Sequence, residues 1–166
     1  MVRDIVPYLK ILVLFVCFFL LGACSRSTDQ AGQPKLSEHE AVKQAVIAYD
    51  EALRISLRNF KTNKLGQLTT ARKYNVDKDY VLKNKRAQVK IVAQLTQINF
   101  RKVQVEGDRG IVEVIEVWYV EKTDISSGKI FVAGEDYNKI IYGLVKDHGR
   151  WLVDSTDVTL YKIETR

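Results

Sequence analysis

The chain has 166 residues, 26 Lys and Arg against 20 Asp and Glu, and a net charge of +6, with two cysteines. That length suits a single core, and a disulfide framework is excluded because Cys17 and Cys24 both fall in the first 24 residues. The basic excess would point to nucleic acid only if Lys and Arg alternated with aromatic residues along a stripe. No such stripe is present, so no nucleic-acid partner is expected.

Arg3 and Lys10 lead into Ile11 to Leu21, 11 residues without a polar side chain, followed by Gly22, Ala23 and Cys24. Basic, apolar, small is the order of a secretory signal, and the run is well short of the roughly 20 residues needed to cross a bilayer. Leu21-Gly22-Ala23-Cys24 resembles a bacterial lipobox. The resemblance implies cleavage before Cys24, a diacylglyceryl group on its sulfur and a further acyl chain on its amine, making the membrane a partner. Each buried methylene contributes about 0.8 kcal/mol, so two or more chains hold firmly where one does not. In enteric members Asp after the Cys retains the protein at the inner membrane. Ser25 stands there instead, which favours the outer membrane, facing the periplasm, in a diderm host.

Three regions follow: a signal over residues 1–23, a lipidated Cys and tether over 24–36, and one domain over 37–166. The 143 residues after the signal carry 24 basic and 19 acidic side chains. "SRSTDQAGQPK", residues 25–35, is small, polar and aperiodic, a tether reaching roughly 20 Å on average. Ser37 and Glu40 fit the S-x-x-E box that caps a helix start. Val42, Ala45, Val46, Tyr49, Leu53, Leu57 and Phe60 follow at spacings of three and four, predicting an amphipathic helix from 38 to about 60. A second helical region, 68 to about 89, offers Val76, Tyr80, Val81 and Leu82 as inner contacts. Its basic cluster, Lys83, Lys85, Arg86 and Lys90, reads as a solvated face, with head-group contact as the alternative.

From residue 94 the pattern turns to strands: "QINFRKVQV", the turn "EGDRG", "IVEVIEVWYVEK", the turn "TDISSG", and "KIFVAGEDYNKIIYGLVK" with a bulge around "AGED". "DHGR" then leads into "WLVDSTDVTLYKI". With His148-Gly149 as a two-residue hairpin loop, Asp147 faces Arg150, Leu144 faces Val153 and Tyr142 faces Ser155. Helices first and an antiparallel sheet after them make an α+β fold.

"VEGDRGIVEVIEV" and the closing hairpin "YGLVKDHGRWLVDS" resemble the NTF2-like superfamily over residues 37 to about 160. The resemblance implies a cone in which amino-terminal helices pack on a curved antiparallel sheet around a cavity. The order of elements is nearest the binding or scaffold members, such as the intermembrane-space domain of plastid and cyanobacterial division proteins. The superfamily also holds isomerases, dehydratases and lipid carriers, so fold alone does not select a function.

"HEAVK" begins like the zinc signature H-E-x-x-H, but Lys43 stands where the second His belongs. His148, the other histidine, lies in a turn, and neither metal nor cofactor is expected. No nucleophile elbow, phosphate loop or dinucleotide fingerprint is present. Alternation places Val112, Val114, Glu116, Trp118 and Val120 on one strand face, setting a carboxylate among apolar neighbours. A solitary acid of this kind is ordinarily exposed or paired with Lys or Arg. Burial would raise its pKa and suit it to general-base work. Glu116, Trp118, Tyr142 and Ser155 are the candidate pocket residues, and no catalytic residues are assigned.

The sequence reading is a membrane-anchored envelope lipoprotein that binds rather than catalyses. An envelope protein is its expected partner, and a homodimer through the sheet is implied by superfamily analogy. The alternatives are a carrier of a lipid or other small apolar ligand, and an isomerase-like or dehydratase-like enzyme that uses a buried Glu116.

Overall fold

The computed structural model describes residues 36–165. The signal, the lipobox with Cys24 and all but the last residue of the tether lie outside the described residues. Helix α1 (Glu38–Asn59) starts at Ser37, whose Oγ accepts from the Glu40 amide at 3.2 Å. Only half of the expected box forms, because the Glu40 carboxylate turns to Lys43 Nζ at 2.7 Å. The predicted stripe faces inward: Val42, Val46, Tyr49 and Leu57 are buried, and so are Asp50, Ala52 and Ser56.

A 3-10 turn, Leu65–Gln67, precedes helix α2 (Ala71–Arg86). The inner face of α2 differs from the expected one. Val81 is buried, but Val76 is 61% exposed and Tyr80 is exposed as well. The buried residues are Lys73, Asp77 and Val81, spaced four apart. Lys73 Nζ lies 2.6 Å from Asp77 Oδ1, and Tyr49 donates to Asp77 Oδ2 at 3.1 Å. Two polar residues can sit inside here because each satisfies the other.

Four strands, β1 (Val89–Glu106), β2 (Arg109–Asp124), β3 (Ile130–Asp147) and β4 (Arg150–Thr165), form one antiparallel sheet in chain order. The α+β class and the curved sheet are as expected. Val89, expected to end a helix, opens β1 instead. The β3–β4 turn has positive φ at both His148 (46°) and Gly149 (79°), the mirror-image turn that matches strand twist. Asp147 pairs with Arg150 and Leu144 with Val153, but Tyr142 pairs with Thr156 and not with Ser155.

The cause of that slip is a bulge at Asp154. Its carboxylate accepts from Thr70 Oγ1 at 2.8 Å and Arg72 at 2.7 Å, while Thr70 N donates to the Val153 carbonyl and Val153 N to that of Leu68. Ser155 is thereby brought opposite Gly143, where any side chain would collide with Ser155 Oγ. The bulge expected at Ala133–Asp136 falls at Phe131 instead, and β1 carries two more at Thr96 and Arg101. Bulges bend a strand and raise its twist, so they curve the sheet around α1.

The larger core cluster joins Val42 and Val46 of α1 to Val112, Val114, Leu144, Trp151 and Val153 of the sheet, with Leu65 beside them. A smaller cluster of Leu57, Val81, Ile91 and Val120 lies toward the other end of α1. Among the described residues no helix is long and apolar enough to cross a membrane.

Candidate functional site: a cleft over a buried acid pair

Between α1, α2 and the concave sheet face lies a cleft of about 220 Å³. Leu53 and Leu57 of α1, Ile91 and Ala93 of β1, Trp118 and Val120 of β2 and Ile140 of β3 supply apolar wall. Arg54, Lys122, Asp136 and Asn138 add polar groups. Arg54 is already committed to Glu51, at 2.8 and 2.6 Å from two nitrogens. Burial raises the Asp136 pKa, with Lys122 opposing.

The floor is Asp50, Glu116 and Tyr142. Strand alternation brings Glu116 inward with Val112 and Val114, and helical spacing brings Asp50 inward four residues after Val46. Glu116 is 0% exposed and Asp50 5%. Glu116 Oε2 accepts from Trp118 Nε1 at 2.7 Å, and the carboxylate is not solvated and, among the described residues, not paired with Lys or Arg, against the ordinary expectation for a solitary acid. The Tyr142 hydroxyl lies 2.7 Å from Asp50 Oδ1 and 3.0 Å from Glu116 Oε1.

Those two distances constrain the proton count. A phenol has one hydrogen and can donate it to one carboxyl oxygen only. The second contact is a hydrogen bond only if the other carboxyl carries a proton and donates it to the phenol oxygen. Asp50 and Glu116 therefore hold at least one proton between them, as two buried acids in contact must when ionising both would set like charges together. Burial raises the Asp50 pKa well above its ordinary value, and the neighbouring Glu116 raises it further. Burial also raises that of Glu116, opposed by its bonds to Trp118, Tyr142 and Asp50. Among the described residues Asp50 Oδ2 has no hydrogen-bond partner, which adds to the cost of ionising Asp50 in place.

A second polar group backs the first. Tyr49 meets Tyr142 edge to face with ring centroids 6.0 Å apart, and Lys73 Nζ lies 5.2 Å from the Tyr49 ring centre. Thus Lys73, Asp77 and Tyr49 continue behind Tyr142, and the Lys73 charge favours ionisation of Asp50.

Of the four pocket residues named from sequence, Glu116, Trp118 and Tyr142 line the cleft together. Ser155 does not. The bulge at Asp154 leaves it exposed, and Thr156 takes the place on the cleft side. Asp50 and the Lys73–Asp77 pair were missed. The available signal for Asp50 was its position three residues before Leu53 and seven before Leu57, an acid inside an apolar stripe. Among the described residues no group of three or more His, Cys, Asp or Glu is placed to hold a metal.

No protein-family model matches the sequence, and no curated protein matches it. The fold has clear structural relatives. The intermembrane space region of chloroplast protein ARC6 superposes with a TM-score of 0.67 at 11% identity, over 76% of this chain and 99% of that one. A conserved protein from Planctomyces limnophilus gives 0.51 at 14% identity, over 74% and 99%. At such identities the likeness establishes the fold: two helices on a curved four-stranded antiparallel sheet, with NTF2-like neighbours.

Proposed function

We propose that the chain is an envelope lipoprotein, anchored through Cys24, whose NTF2-like domain is a non-catalytic binding module that takes a small, largely apolar ligand in its cone. The observation that carries this reading is the cleft itself, an apolar-walled recess closed by a hydrogen-bonded floor. Pockets for drug-sized ligands enclose roughly 300–1,000 Å³, so about 220 Å³ suits a smaller molecule or one end of a longer one. A whole two-chain lipid does not fit.

The isomerase-like or dehydratase-like reading has one observation in its favour, an acid buried beside a tyrosine donor. A general base, however, must reach the proton it removes, at about 3 Å. Glu116 has no exposed surface, and its two oxygens already take Trp118 and Tyr142. This floor shapes a ligand better than it turns one over.

Native mass spectrometry of the domain purified gently from its own envelope tests the proposal. A reproducible added mass is expected, and Ala93→Phe, which fills the cleft from β1, should abolish it. A clean unliganded mass from the wild-type domain, or an adduct indifferent to Ala93→Phe, would remove the support.

A further inference from the structure

The last turn of α2, the first residues of β1 and the β2–β3 turn meet at one end of the domain. Val89 pairs with Asp124, Lys90 with Thr123 and Thr123 with Ile130, while the Ile125 amide donates to the Gln88 carbonyl at 2.9 Å. This end gathers five basic side chains, Lys83, Lys85, Arg86, Lys90 and Lys129, and among the described residues no ion pair within 4.0 Å takes any of them. Asp124, the acid at the turn, is occupied with the turn itself. It accepts from Ser126 Oγ, Ser127 N and Ser127 Oγ, which together hold its pKa down to about 2.

The same end also exposes Ile125, Ile130 and Phe131, at 43%, 50% and 51%. Ile130 and Phe131 stand at the start of β3, and the bulge at Phe131 interrupts the ladder there. Large apolar residues exposed singly need no explanation, but three within seven residues, ringed by like charge, do.

We infer that this end of the domain docks on an anionic lipid surface, the Lys and Arg side chains meeting lipid phosphates and Ile125, Ile130 and Phe131 entering the head-group layer. A nucleic acid would satisfy the charges but offers nothing to the apolar tip. A bilayer bearing anionic lipids offers both charge and hydrocarbon. The inference is independent of the cleft, and chain length makes it compatible with an anchor at Cys24. Glu38, at the start of α1, bonds Lys146 and Trp151 at the other end of the domain, whereas Leu57 packs with Val81 and Ile91 at this one. Helix α1 is about 33 Å long, and the 12 residues from 25 to 36 can span at most about 40 Å.

The test uses the chain from Ser25 onward, which lacks the anchor, with vesicles of phosphatidylcholine alone or with three parts in ten phosphatidylglycerol. Cosedimentation should show at least tenfold tighter binding to the anionic vesicles, weakening about fivefold for each charge removed in the series Lys83→Gln, Lys85→Gln and Lys129→Gln. This chain has no cysteine, so Phe131→Cys carries a single environment-sensitive dye, and Ile125→Cys serves if that variant does not fold. A blue shift of the dye on anionic vesicles is expected. Equal binding to both vesicles, or anionic binding without a blue shift at either position, would overturn the inference. So would binding to DNA or an acidic protein but to neither vesicle.

Discussion

Along one face of α1, Val42 and Val46 share an apolar cluster with Val112, Val114, Leu144 and Val153, whereas one turn later Tyr49 and Asp50 meet Tyr142 and Glu116 through hydrogen bonds and ring contacts. The apolar half gains from removing hydrocarbon from water, at about 25 cal/mol per Å², and tolerates any side chains of the right volume. The polar half gains little net energy and depends on each group keeping its partner. Stability should therefore be broad along the first turns of the helix and specific at its middle, where Asp50 meets the floor of the cleft.

The comparison breaks most sharply at Lys73. Lys73→Met leaves Asp77 buried without its cation and should cost about 3–5 kcal/mol in urea unfolding. The double substitution Lys73→Met with Asp77→Leu should recover most of the loss, because it removes both charges. An additive double mutant would show that the pair is no functional unit. In the apolar half, Leu144→Ala should cost about 3 kcal/mol through lost burial and the cavity left behind, with no rescue by any single polar change.

The acid pair makes a pH-dependent contribution of the opposite kind. Folded protein keeps one proton on Asp50 and Glu116, while the unfolded chain releases it near the ordinary Asp value of 3.8. Above that pH the folded state binds more protons than the unfolded one, so stability falls as pH rises, by up to about 1.4 kcal/mol per unit. The fall ends where the folded pair gives up its own proton. Asp50→Asn should flatten this slope in denaturation curves measured across pH, and an unchanged slope would mean the proton lies elsewhere. Val76→Ala should be the mildest change, within about 0.5 kcal/mol, because Val76 is exposed. A loss near 2 kcal/mol would restore Val76 to the inner face of α2.

How much of this the sequence reveals depends on whether a residue's position follows from period alone. The α1 stripe and the inward face of β2 do, since periods of 3.6 and 2 carry them across many residues. The burial of Lys73 and Asp77 does not, because polar residues four apart look the same on a solvated helix and inside one. The pairing of Tyr142 was misplaced by one residue, since a single extra residue at Asp154 leaves no trace in composition and moves every later side chain to the other face. Glu116 was located but not its companion, as Asp50 comes from an element 66 positions away in the sequence. Hydrogen bonds across such separations are set by tertiary packing and not by local pattern.

The stitch between the segment before α2 and the start of β4 has a consequence for the order of assembly. Thr70 and Asp154 are 84 positions apart, Asp50 and Tyr142 are 92, and Glu38 and Trp151 are 113. Contacts of this span require large loops to close before they return any energy, and they slow folding. A growing chain makes α1 long before it makes either Tyr142 or Trp151. Until the last hairpin arrives, the helix must wait with its apolar stripe uncovered, which makes a chain truncated before Arg150 a candidate for chaperone capture or aggregation during synthesis.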